Sequence, residues 1–148
     1  MITATANTKK SKTNYSSTDN KYKMKKKKKI AVFTTTRADF GIFTALLQKI
    51  EESELLEYLL FAGGTHLAHE FGTTIDEIHE NGFRITETFD YLLNGSSAYS
   101  LAKSSGICTM EIAQLFQKYK FDFVCVLGDR FELLSIIQIA FYSFYYRF

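Results

Sequence analysis

Proline and tryptophan are absent from the 148 residues, and cysteine occurs only twice. The missing proline carries no functional consequence. The scarcity of cysteine carries more: Cys108 and Cys125 sit singly inside apolar patterns, without metal-ligand spacing. They read as buried, inert thiols of a reducing cytoplasm rather than redox groups or ligands. No stretch approaches the ~18 apolar residues that a membrane helix needs. Neither GxGxxG nor a Walker loop is present, so the common glycine-rich phosphate cradles are excluded.

Acidic residues are nearly missing from one region. Residues 1–29 hold ten lysines and a single acid, Asp19, so the net charge of +2 belongs to this leader and the remainder is mildly acidic. The leader is rich in Ser, Thr, Lys and Asn and too polar to offset its ordering entropy, which predicts disorder. A secretory signal needs 7–15 apolar residues after its lysines. Here only Ile30 to Phe33 follow before three threonines and Arg37. The leader therefore reads as a solvated segment, with Met24 as an alternative start; a nucleic-acid arm finds no basic-aromatic face downstream to support it.

What the chain does have is 46% hydrophobic residues, enough for one core, in short runs alternating with helical periods from Ile30 onward. Ile30–Phe33 and Tyr58–Ala62 read as strands covered on both faces. Phe83–Ile85 is a weaker third strand, and Phe123–Leu127 a fourth. Between them, Asp39 caps a helix bearing Phe43, Leu46, Leu47 and Ile50. Thr74 and Glu77 have capping-box spacing for a second helix closed by Gly82. Ser97 opens a long third helix with Leu101, Ala102, Cys108, Ile112, Leu115 and Phe116 inward, and a fourth runs from Phe131 to about Ala140. This alternation predicts a three-layer, Rossmann-like α/β domain over residues 30–148, with a parallel sheet of strand order 3-2-1-4.

That order would make the loops after the first and fourth strands flank one crevice, bringing the guanidinium of Arg37 towards the carboxylate of Asp129. Thr34–Gly41 gathers hydroxyls, a helix start and Arg37, which suits a phosphate or diphosphate. Gly63-Gly64-Thr65-His66 lets backbone approach a ligand, with His66 able to donate to a phosphate or sugar hydroxyl. Asp129, at a strand terminus in Gly128-Asp129-Arg130, suits acid–base work. Blander readings stay open at each position: Arg37 pairing with Asp39, His66 as a loop residue, Asp129 as a cap, and Arg130 paired with Glu132 on the surface. His66, His69, Glu70 and His79 match no zinc motif. A receiver-like domain would carry an acidic cluster after its first strand, where this chain has Thr34-Thr35-Thr36-Arg37.

The segments TTTRADFG, GGTHLAHEFGTTIDEIHENGF and VLGDRFELL, in this order and spacing, resemble the hydrolysing UDP-N-acetylglucosamine 2-epimerases of bacterial sialic-acid and related nonulosonic-acid biosynthesis. The resemblance runs from about Ile30 to Ala140. It implies the first domain of a GT-B-type two-domain enzyme, a UDP-sugar substrate, no cofactor or metal, no nucleic-acid or membrane partner, and a cytoplasmic, homo-oligomeric parent. By this resemblance Asp129 falls on a catalytic aspartate, Arg37 and Arg130 on substrate-binding positions, and His66 near the substrate. UDP would leave by elimination across C1–C2, and water would add to the resulting glucal. After Ala140 the aromatic string Phe141–Phe148 resembles nothing in the family, which suggests a frameshift or premature stop. The chain alone is then expected to be inactive, a nucleotide-sugar-binding module or an inert remnant, with an uncovered fourth strand prone to association.

Overall fold

The computed structural model describes residues 26–68, 72 and 74–146. Most of the expected leader, residues 1–25, lies outside these, as do His69 and Glu70 from the zinc reading. Four strands, β1 (Lys28–Thr34), β2 (Leu56–Gly63), β3 (Ile85–Phe89) and β4 (Phe123–Cys125), form one parallel sheet in the order β3-β2-β1-β4. The expected strand order therefore holds. Four α-helices intervene: α1 (Arg37–Glu51), α2 (Ile75–Glu80), α3 (Ala98–Lys118) and α4 (Glu132–Tyr145).

Two hydrophobic layers explain the continuous apolar strands. Val32, Leu60 and Ala62 pack on one face with Phe40, Phe43 and Leu47 of α1 and Ile78 of α2. Ala31, Phe33 and Phe61 face the opposite layer, with Cys108, Ile112 and Phe116 of α3 and Ile136 of α4. Successive strand residues point to opposite faces, so a strand buried on both must be apolar throughout. The register places Phe33 beside Phe61, and their rings stack with centroids 4.9 Å apart.

Several boundaries depart from the sequence expectation. β1 starts at Lys28, inside the expected leader, because pairing with Leu56 extends it. Thr36 rather than Asp39 caps α1: its hydroxyl accepts from the Asp39 amide at 3.2 Å. Thr74 makes no capping bond, and no capping box forms, because its hydroxyl is drawn to His66 instead. β3 begins at Ile85, leaving Phe83 to plug the α1–α2 layer. Leu46, Leu101 and Ala102 lie exposed rather than inward. β4 is only three residues long and pairs with β1 alone among the described strands. An apolar groove of about 510 Å³ runs along it, lined by Val124, Val126, Ile137, Phe141 and Tyr145. Cys108 is fully buried and burial pushes its thiol up to about 12; Cys125 is half-buried and shifted the same way by burial. Both thiols are thus held protonated and unreactive.

Candidate functional site

The carboxyl ends of the strands carry five of the seven buried polar residues among the described residues. Thr34, Thr35, Asp39, His66 and Glu132 are all buried at the turns leaving β1, β2 and β4. The β1 and β2 turns are tied together. After β2 the chain enters a short 3-10 turn, Gly64–His66, at a left-handed residue, Gly64 (φ +61°). A Cβ there would stand 2.5 Å from the Tyr91 hydroxyl and 3.0 Å from the Thr35 carbonyl oxygen. Glycine is therefore required both by conformation and by space. The Thr65 amide and hydroxyl both donate to that carbonyl, at 3.0 and 2.9 Å, stitching the β2 turn to the β1 turn.

His66 ends this turn with no solvent exposure. Its Nε2 lies 2.9 Å from Thr34 Oγ1 and its Nδ1 2.8 Å from Thr74 Oγ1. Thr34 spends its own proton on the Thr36 carbonyl at 3.4 Å. Which nitrogen donates is set by the tautomer of the ring. Burial lowers the imidazole pKa below its ordinary value, outweighing the nearby Asp39 charge, so the ring is neutral. Both nitrogens bond threonine hydroxyls, and the ring holds the β2 turn in place.

The β1 and β4 turns do meet, as the strand order requires, but through other groups than expected. A Cβ on Gly128, itself left-handed at φ +103°, would lie 3.8 Å from Asp39 Oδ1. Asp39, which accepts from the Thr35 hydroxyl at 3.0 Å, also acts electrostatically on Arg130. Arg37 instead turns to α2, where Nε donates to Glu77 Oε2 at 2.9 Å. Arg37 thus pairs with Glu77 of α2 rather than with Asp129 or Asp39. Asp129 is exposed on the turn between β4 and α4.

Arg130 pairs with Glu132 through Nε–H donating to Oε1 at 2.6 Å, as the blander reading had it, but Glu132 is wholly buried rather than a surface partner. Burial works against the Arg130 charge, yet the Glu132 bond and charge outweigh it and hold the guanidinium above its ordinary pKa. Arg130 lines an open crevice of about 760 Å³ together with Thr65, Leu67, Asn94, Leu101 and Phe131. The buried carboxylates Asp39 and Glu132 and the Tyr91 hydroxyl were the site features least visible in the sequence. The only signal was their placement within two residues of a strand end or within a strand–turn–helix junction. Among the described residues no group of three or more His, Cys, Asp or Glu side chains is placed to hold a metal.

A parallel, doubly wound sheet with polar turns gathered at its carboxyl edge defines a Rossmann-like α/β domain. The model of the family described as UDP-N-acetylglucosamine 2-epimerase matches residues 48–144. The chain belongs to that family. It is 35% identical over 114 residues to the GDP/UDP-N,N'-diacetylbacillosamine 2-epimerase (hydrolyzing) of Campylobacter jejuni, covering 77% of this chain and 29% of the relative. It is 32% identical to polysialic acid biosynthesis protein P7 of Escherichia coli, covering 76% of this chain and 29% of that protein. The crystal structure of the Neisseria meningitidis UDP-GlcNAc 2-epimerase bound to UDP-GlcNAc shares the fold, with a TM-score of 0.61 at 16% identity, over 78% of this chain and 30% of that one. The chain thus spans under a third of the length of these proteins.

Proposed function

We propose that the chain forms the first-domain portion of a hydrolysing nucleotide-sugar 2-epimerase of the GT-B arrangement. The parent reaction is UDP-N-acetylglucosamine plus water giving N-acetylmannosamine and UDP, in cytoplasmic biosynthesis of sialic-type acids by a homo-oligomer. The observation that carries this reading is the meeting of the β1 and β4 turns beside Arg130 in a chain of this family. In it Asp129, exposed on the β4 turn, moves the proton during elimination across C1–C2. Arg130 faces the departing diphosphate, and Arg37, on the first turn of α1, supports it from the neighbouring turn. His66 serves by holding the turn between them.

Because the chain matches 29% of the relatives' length, it is expected to bind UDP without turning over the sugar nucleotide. Calorimetric titration with UDP and UDP-N-acetylglucosamine, run beside an assay for released UDP, tests both parts. Saturable binding without release is the expected result. Absence of any binding overturns the nucleotide-sugar reading for this chain. Release of UDP that disappears in Asp129→Ala overturns the expectation of inactivity.

A further inference from the structure

Glu132 is fully buried, yet it pairs with an arginine whose side chain is 37% exposed. A desolvated carboxylate is a poor source of stability, because one ion pair rarely recovers the cost of its transfer from water. The cost is compounded here. Glu132 Oε2 and the Tyr91 hydroxyl are both buried, act on each other, and find no other hydrogen-bond partner among the described residues. Two buried oxygens left with only each other are poorly satisfied. The two belong to one cluster: Glu132 acts on Tyr91 electrostatically, and the Tyr91 hydroxyl sits directly against Gly64 at the start of the β2 turn.

The bonding pattern of Arg130 gives this costly arrangement a use. Glu132 takes the Nε–H, on the inner side of the guanidinium. No described residue claims the two terminal amino groups, and the side chain lines the crevice. A guanidinium grips a phosphoryl group through paired N–H donors, and it loses least freedom when already held in one orientation. We propose that Glu132 is a positioning residue: from beneath the crevice it fixes Arg130 by the Nε–H, so that the terminal amino groups are presented to a phosphoryl group of the ligand. Tyr91 buttresses the same cluster against the β2 turn. The proposal rests on the nucleotide-sugar reading for the identity of the ligand, but not for the fixing of Arg130.

Two measurements on the whole chain separate these parts. The first, ¹⁵N NMR of arginine Nε–H groups without ligand, is expected to show one slowly exchanging signal. Arg130→Lys removes it and so assigns it. In Glu132→Gln it shifts and exchanges faster, while the backbone amide spectrum keeps its folded dispersion. The second is UDP affinity, which is expected to fall about tenfold in Glu132→Gln and at least as far in Arg130→Lys, with the double variant no weaker than Arg130→Lys alone. Should Glu132→Gln fail to fold, Arg130→Lys and the wild-type Nε–H signal still decide the matter. A fast-exchanging Nε–H in the wild type overturns the proposal. So does a folded Glu132→Gln or Arg130→Lys that binds UDP like the wild type. A held Nε–H in a wild-type chain that binds no UDP supports the fixing of Arg130 and overturns the nucleotide-sugar reading alone.

Discussion

The two ends of the parallel sheet carry open crevices of similar size, about 760 Å³ at the carboxyl end and about 790 Å³ at the amino end. Their polar groups are built in opposite ways. At the amino end, Lys28–Asp122, Lys29–Glu57 and Lys118–Glu87 form ion pairs whose members all reach water. Helices α1 and α3 end here, and cations such as Lys49 and Lys118 in their last turns suit the partial negative charge of the final carbonyls. Nothing about this basic crevice needs a ligand to explain it. At the carboxyl end, threonine hydroxyls, an imidazole and two carboxylates are withdrawn from water, and the imidazole and Thr65 bond the β2 turn to the β1 turn. Pocket size and charge therefore do not distinguish a candidate site from ordinary surface in this molecule. Polar burial does.

The contrast can be broken most forcefully at Gly64. Gly64→Ala is expected to lower stability by about 2–4 kcal/mol, since the left-handed backbone and the contact with Tyr91 must both be strained; a urea melt reads it. Thr34→Val removes the hydroxyl partner of the buried Nε2 and is expected to cost about 1–3 kcal/mol, again from the urea midpoint. Acidification should act on the same end. His66 has its folded pKa lowered from 6.5 by burial, so the unfolded chain binds the proton more readily. Stability is then fully present above pH 6.5 and lost as pH falls through the folded pKa. Melting temperature followed from pH 8 to pH 5 is expected to show this decline, with a shallower slope in His66→Gln. At the amino end, Lys29→Ala should cost less than about 1 kcal/mol and become smaller still in high salt. If Lys29→Ala proved as damaging as Thr34→Val, the distinction between the two ends would lose its energetic basis.

Much of the scaffold was legible in the residues. Continuous apolar runs at Ile30–Phe33 and Tyr58–Ala62 could belong only to strands covered on both faces, and Ser97 does open α3, its hydroxyl accepting from the Ser100 amide at 3.1 Å. The site was less legible where one side chain had several partners within reach. Thr74 looked like a helix cap but bonds His66, eight residues back. Arg37 looked like a partner for Asp39 or Asp129 but bonds Glu77, forty residues on. Glu132 read as a surface partner of Arg130, two residues before it, whereas it is wholly buried.

The sequence by itself determined the alternation of strands and helices, the parallel sheet and the gathering of polar turns at one edge. These follow from residue periodicity and from the handedness of strand–helix–strand crossovers, which are local or generic constraints. The tertiary structure alone decided which hydroxyl meets which ring nitrogen, which carboxylate is drawn out of water, and which arginine lines the crevice. Those choices depend on distances between side chains that can be far apart in the chain, as Thr34 and His66 or Arg37 and Glu77 are, and on desolvation, which is a property of the packed layers rather than of any residue read in isolation.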